Sequence, residues 1–221
     1  MLFAPHSRIV FIGDSITDCG RARPFGEGLD APFGTGWVNL VAGLIGEAYP
    51  ERRLRLVNMG VSGNTTRDLL ARWETDVTRL SPDWVACMIG TNDVWRQFDL
   101  PLLEEIHVGP DEYRANLESL VDRTLPTVRG MILLTPFYLE TSRSDAMRAR
   151  MDLYGSIVRE TAASRGTLFV DVQAAMDRLV GAQAHSSSIS WDRVHPNVAG
   201  HMAIARAFLD AVGFAWGGER G

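Results

Sequence analysis

Five short apolar runs, each closed off by breakers or polar residues, constrain this chain more than any other feature. They cover Ile9–Ile12, Leu54–Val57, Trp84–Ile89, Met131–Leu134 and Leu168–Val170. Each is almost continuously apolar rather than alternating, the pattern of a strand buried on both faces. Between the runs, apolar residues recur at helical spacing. Trp37, Leu40, Val41, Leu44, Ile45 and Ala48 make one face, Tyr113, Leu117, Leu120 and Val121 a second, and Met147, Met151, Tyr154 and Val158 a third. A further helix is expected after Asn64, with Leu69, Leu70, Trp73 and Val77 inward, and a last one through Met202, Ala205 and Phe208. Strands alternating with helices specify an α/β fold whose parallel sheet is covered on both faces.

The chain has 221 residues and no repeat, linker or low-complexity segment, so residues 1–221 read as one domain. A net charge of −5 does not offer the clustered Lys and Arg that neutralise phosphates, and no nucleic-acid partner is expected. Residues 1–13 lack the charged start, long apolar centre and cleavage site of a signal peptide, and no apolar stretch reaches the length of a membrane span. A soluble, cytoplasmic protein without a membrane partner is the expectation. Cys19 and Cys87 have no C-x-x-C spacing and read as free thiols.

In open parallel sheets ligands bind beyond the carboxyl ends of the strands, where the strand order reverses. The segments to inspect are therefore Gly13-Asp14-Ser15 after the first run, "NMGVSGNT" at Asn58–Thr65 after the second and "GTND" at Gly90–Asp93 after the third. A fourth segment, "WDRVHPNVAGH" at Trp191–His201, precedes the last helix and can fold over the same edge. Each admits a plain structural reading. Ser15-Ile16-Thr17-Asp18 fits a capping box, Asp192 and His195 fit a surface turn, Asn92 fits a turn cap and Gly63 a loop glycine.

Taken together, the four segments supply what acyl transfer from an ester requires. A serine hydroxyl needs a base within hydrogen-bond reach and an orienter for that base. His195 and Asp192, three positions apart in a turn closed by Pro196, can leave Nε2 facing Ser15. The negative oxygen of a tetrahedral intermediate needs donors, and the Ser15 amide, the Gly63 amide and the Asn92 side chain are available. No metal is assigned: His6, His107 and His185 lie in polar segments, and His201 reads as a helix residue. The glycine-rich stretch Gly26–Trp37 has neither a P-loop nor a dinucleotide fingerprint, so no cofactor is expected. That stretch reads as a flexible loop that walls the pocket or meets another subunit.

On these residues the sequence resembles the SGNH hydrolases, the GDSL esterase and lipase superfamily. "GDSI", "VSGN", "GTND" and "DRVHP" match the family's four blocks in order, with Ile16 in place of the leucine of the family name. The resemblance implies a flavodoxin-like three-layer α/β/α sandwich with a five-stranded parallel sheet. It also implies catalytic Ser15, Asp192 and His195, and an oxyanion hole of Ser15, Gly63 and Asn92. Gly13-Asp14-Ser15-Ile16-Thr17 lacks the second glycine of the G-x-S-x-G elbow, which disfavours the α/β-hydrolase fold.

Longer stretches, "FIGDSITDCGRARP", "PDWVACMIGTNDVWRQ", "LLTPFYLE" and "WDRVHPNVAGHM", are similar to the cytoplasmic bacterial acetylxylan esterases of that superfamily. This narrower resemblance implies deacetylation of xylo-oligosaccharides by a homo-oligomer. Trp95 and Trp191 adjoin the blocks and are candidates to pack on a sugar ring, with Tyr138 and Arg67 as candidate hydrogen-bond partners. Two other readings stand beside it: a thioesterase or lysophospholipase with the same mechanism, and a non-catalytic carbohydrate-binding protein on a hydrolase fold.

Overall fold

A computed structural model describes residues 1–182 and 185–217. Strands β1 (Arg8–Gly13), β2 (Arg55–Asn58), β3 (Trp84–Met88), β4 (Gly130–Leu134) and β5 (Leu168–Val170) form one sheet in the order β2-β1-β3-β4-β5. Every pairing is parallel. Around it lie α1 (Ser15–Asp18), α2 (Trp37–Ala48), α3 (Thr66–Asp76), α4 (Thr91–Asp99), α5 (Pro110–Thr124), α6 (Ala146–Arg165), α7 (Val172–Gly181) and α8 (Val198–Ala211). The result is the expected three-layer α/β/α sandwich. Among the described residues, no helix is long and apolar enough to cross a membrane.

Successive strand side chains point to opposite faces, so each apolar run feeds two cores at once. Ile9 and Phe11 join Trp37 and Val41 of α2 and Phe208 of α8 in one layer, whereas Val10 and Ile12 join Leu69 and Trp73 of α3, Leu120 of α5 and Tyr154 of α6 in the other. The Phe11 ring meets Trp37 edge-on at 5.3 Å and Phe208 at 5.4 Å.

After β1 the chain adds β2 on one side and returns to add β3 on the other. The order reverses at β1, so the segments that follow β1, β2 and β3 share one edge of the sheet. Two helices escape the periodicity of the sequence. Helix α4 buries Thr91, Asn92 and Asp93 beside Val94, so three of its four buried residues are polar. Helix α7 is short, and alanine supplies part of its buried face.

The segment 26–36 departs from the reading as a flexible loop, because it is fastened beneath the nucleophile block. Gly26 and Asn58 exchange backbone hydrogen bonds, and Asn58 Nδ2 donates to the carbonyls of Thr17 and Phe33 at 2.7 and 2.9 Å. A β-carbon at Gly34, where φ is +77°, would stand 2.4 Å from the Cys19 carbonyl oxygen. Only glycine permits so close an approach in that conformation.

Candidate active site

Helix α1 begins directly beyond β1, and its cap decides what Ser15 is free to do. Asp14 is the N-cap: its side chain accepts the amide of Ile16 at 3.0 Å. Ser15 is therefore the first helical residue, and the capping duty that the pattern Ser15-x-x-Asp18 offered it falls to its neighbour. Its Oγ lies instead 2.9 Å from Nε2 of His195.

His195 reaches Ser15 from a loop held on several sides. The Leu139 amide donates to the Arg193 carbonyl at 2.9 Å, Asn197 donates to the Ile189 carbonyl at 2.7 Å, and Pro196 packs where a β-carbon of Gly200 would otherwise stand. Within the loop, Asp192 Oδ2 lies 2.6 Å from His195 Nδ1. Its Oδ1 accepts from Ser190 Oγ at 2.8 Å, from the His195 amide at 2.8 Å and from the Val194 amide at 2.9 Å. Burial alone would raise this carboxyl, but the His195 ring, the two amides and Ser190 outweigh it and hold Asp192 at about 2. A carboxylate only accepts hydrogen bonds, so Nδ1 carries the ring proton and Nε2 is left to accept from the Ser15 hydroxyl.

Asn92 and Gly63, the candidate donors, lie in the other two segments. Asn92, in the first turn of α4, gives one Nδ2 hydrogen to the Asn64 carbonyl at 3.0 Å, while its Oδ1 accepts from Arg96 Nη2 at 3.3 Å. That pair of bonds fixes which way the amide faces and leaves its second N–H to give. Gly63 adopts φ +82° with nothing within 4 Å of where a β-carbon would stand, so conformation rather than space calls for glycine there. Two buried carboxyls support these turns. Asp93 accepts the amide and hydroxyl of Thr66 at 3.0 and 2.6 Å, which pins the start of α3, and burial pushes it up to about 6. Burial likewise pushes Asp14 up to about 7. A serine hydroxyl, an imidazole and the carboxylate that faces its other nitrogen thus form one hydrogen-bonded chain beyond the end of β1.

Residues 11–203 match the GDSL-like lipase/acylhydrolase family. The chain belongs to that family. It is 56% identical over 209 residues to an acetylxylan esterase of Geobacillus stearothermophilus, with 95% of each chain covered. The crystal structure of Axe2, an acetylxylan esterase from the same organism, matches with a TM-score of 0.97 at 54% identity over 100% of both chains. LAE5, an alpha/beta hydrolase enzyme from the metagenome of Lake Arreo, Spain, matches with a TM-score of 0.95 at 57% identity, over 97% of this chain and 98% of that one.

In this GDSL-like acylhydrolase the outer candidates divide. The Trp95 ring stands edge-on to the His195 imidazole, 5.8 Å between centroids, with the Arg96 guanidinium over the ring, 5.0 Å from its centroid. Trp191 is 87% exposed and borders a cavity of about 390 Å³ together with Thr141, His185, Ser190 and Arg193; neither Ser15 nor His195 lines it. Tyr138 is half-buried, its backbone clamped by the Gln173 amide on both its N–H and its carbonyl. Arg67 is engaged between helices. Its guanidinium donates to both Glu112 carboxylate oxygens and to the carbonyls of Glu105 and His107, tying α3 to α5.

His201 Nε2 lies 3.5 Å from Sγ of Cys19, the residue that closes α1, and burial pulls it down to about 4. Asp14 as the cap was missed in the sequence, although "GDS" places two good capping residues side by side and either could have taken the role.

Proposed function

We propose that the protein is a serine esterase that removes acetyl groups from acetylated xylo-oligosaccharides. The reading is carried by the relay of 2.9 Å from Ser15 to His195 and 2.6 Å from His195 to Asp192. The substrate class is supported by 56% identity to an acetylxylan esterase along 95% of the chain.

His195 Nε2 takes the Ser15 proton as Oγ attacks the acetyl carbonyl carbon, and the imidazolium that forms faces the Asp192 carboxylate. The carbonyl oxygen becomes an oxyanion and accepts from the Ser15 and Gly63 amides and from Asn92 Nδ2. Collapse breaks the bond to the sugar oxygen, which leaves with the proton from His195. Water then attacks acetyl-Ser15, gives its proton to His195, and acetate departs as that proton returns to Ser15 Oγ. Trp95, edge-on to the base, is positioned to pack against the apolar face of the sugar ring, and the exposed Trp191 indole extends the contact along the oligosaccharide.

Acetate release from acetylated xylo-oligosaccharides, compared between the native chain and Ser15→Ala, tests this. The native chain releases acetate and the variant does not. Equal release by both, or release by neither, overturns the proposal. A series of p-nitrophenyl esters tests the acyl group, and preference for octanoate over acetate would replace deacetylation with a long-chain acyl hydrolase.

A further inference from the structure

Arg72 lies in the middle of α3, within a helix whose other arginine, Arg67, points away to Glu112. Its side chain is only 16% exposed, and its guanidinium is spread over four acceptors from three parts of the chain. Nη2 donates to the Gly13 carbonyl at 3.1 Å, at the end of β1 and one residue before Asp14-Ser15. Nη1 donates to the Met59 carbonyl at 2.8 Å, just beyond β2, and to Asp76 Oδ2 at 2.7 Å. Nε donates to Asn64 Oδ1 at 2.6 Å, beside Gly63. The Asn64 carbonyl in turn accepts the hydrogen bond that orients the Asn92 amide. One planar cation therefore touches the peptide leading to the first oxyanion donor, the residue next to the second and the residue that aims the third.

From this geometry we infer that Arg72 is a positioning residue that holds the three oxyanion donors in register. The inference rests on the proposed assignment of Ser15, Gly63 and Asn92 as those donors. A rigid fork suits this task, because its donors point in fixed directions and can bridge several carbonyls at once. Asp76 supplies the counter-charge, so the guanidinium sits among backbone carbonyls without an unpaired charge in a partly buried place. Arg72 reaches no reacting atom. It acts through Gly13, Asn64 and Met59, so its loss leaves the relay of Ser15, His195 and Asp192 made while the donors drift from the oxygen they serve.

Donor misplacement weakens the transition state more than the ground state, so the effect falls on kcat. Arg72→Met keeps most of the side-chain volume and removes every donor. Its kcat on p-nitrophenyl acetate is expected to fall roughly tenfold to a hundredfold, with KM little changed. Arg72→Lys keeps the charge beside Asp76 but cannot reach all the acceptors at once, so a smaller drop of the same kind is expected. If the methionine variant does not fold, the lysine variant alone decides.

A double-mutant cycle with Asn92→Ala separates this role from general support of the fold. Where Arg72 acts through the donors, removing it costs less once Asn92, one of the three, is gone; where it merely stabilises the fold, the two losses multiply. A kcat within about twofold of native in a folded Arg72 variant, or losses that multiply, overturns the inference. Failure of the underlying reading looks different: Asn92→Ala then leaves kcat unchanged, or Ser15→Ala stays active, whatever Arg72 does.

Discussion

Asp14 accepts the Ile16 amide at 3.0 Å, and that one bond leaves the hydroxyl of adjacent Ser15 free to meet His195 at 2.9 Å. A short helix with an empty cap would compete for the serine oxygen, because an unpaired amide at a helix start is costly and serine is a favoured cap. The Ser15 hydroxyl is available because its neighbour has taken the structural role.

The first prediction concerns the charge state of that cap. Burial pushes Asp14 up from 3.8 to about 7, so the folded chain keeps a proton that the unfolded chain has already released above pH 4. Stability associated with Asp14 therefore falls as pH rises from about 4 to about 7. Asp93, pushed up to about 6, acts in the same direction; His201, pulled down from 6.5 to about 4, acts in the opposite one. Asp14→Asn keeps an acceptor for Ile16 and removes only the titration, so unfolding midpoints measured from pH 5 to pH 8 should drop less steeply in the variant. Parallel midpoints for the two proteins would refute the assignment.

Asp192→Asn tests the orienter. The carboxylate is held at about 2 by its partners and stays ionised through the neutral range. An amide in its place can present N–H rather than an acceptor to Nδ1, which moves the ring proton to Nε2 and removes the base that Ser15 needs. Turnover should fall on the order of 10⁴-fold with circular dichroism unchanged. A loss confined to KM would make Asp192 a binding residue instead.

Asn92→Ala tests the donor. A hydrogen bond aimed at a developing oxyanion is worth on the order of 3 kcal/mol, so kcat should drop about a hundredfold or more while KM stays close to native. Steady-state kinetics on p-nitrophenyl acetate distinguish this from a structural cap, whose loss would lower the unfolding midpoint with turnover largely kept.

How much of this could be read from the sequence depends on what each residue is buried against. The runs Ile9–Ile12 and Met131–Leu134 announce strands because both of their faces meet helices, and the blocks around Ser15, Gly63 and Asn92 stand out because they follow successive strands, whereas the His195 block, between α7 and α8, is tied to them only by the fold. Helix α4 escapes a reading by buried apolar residues, since beside Val94 it buries Thr91, Asn92 and Asp93, of which Asn92 and Asp93 are held by side-chain hydrogen bonds. The two arginines of α3 illustrate the same limit. Arg67 and Arg72 are chemically alike, and their spacing turns them roughly 140° apart on the helix. Nothing local to the sequence says that Arg67 faces Glu112 and Arg72 the carbonyls of Gly13 and Met59.

The segment from Gly26 to Gly36 provides the last test, because close packing rather than composition decides its behaviour. Gly34 combines φ +77° with a carbonyl oxygen 2.4 Å from where a β-carbon would stand, and Gly36 would place one 2.5 Å from Cys19 Sγ. Cys19 closes α1 in the left-handed conformation, so pressure on it is passed to the helix that carries Ser15. Gly34→Ala should therefore cost about 2 kcal/mol or more of stability, as overpacking against backbone does, and lower kcat along with it. Gly28→Ala is the informative contrast: it also has positive φ, +118°, but meets nothing within 4 Å, so it bears only local conformational strain. Thermal unfolding and turnover measured on both variants check the assignment. Equal losses from the two would mean that the loop is not seated on the nucleophile helix, whereas a drop in activity specific to Gly34→Ala would tie the seat to Ser15.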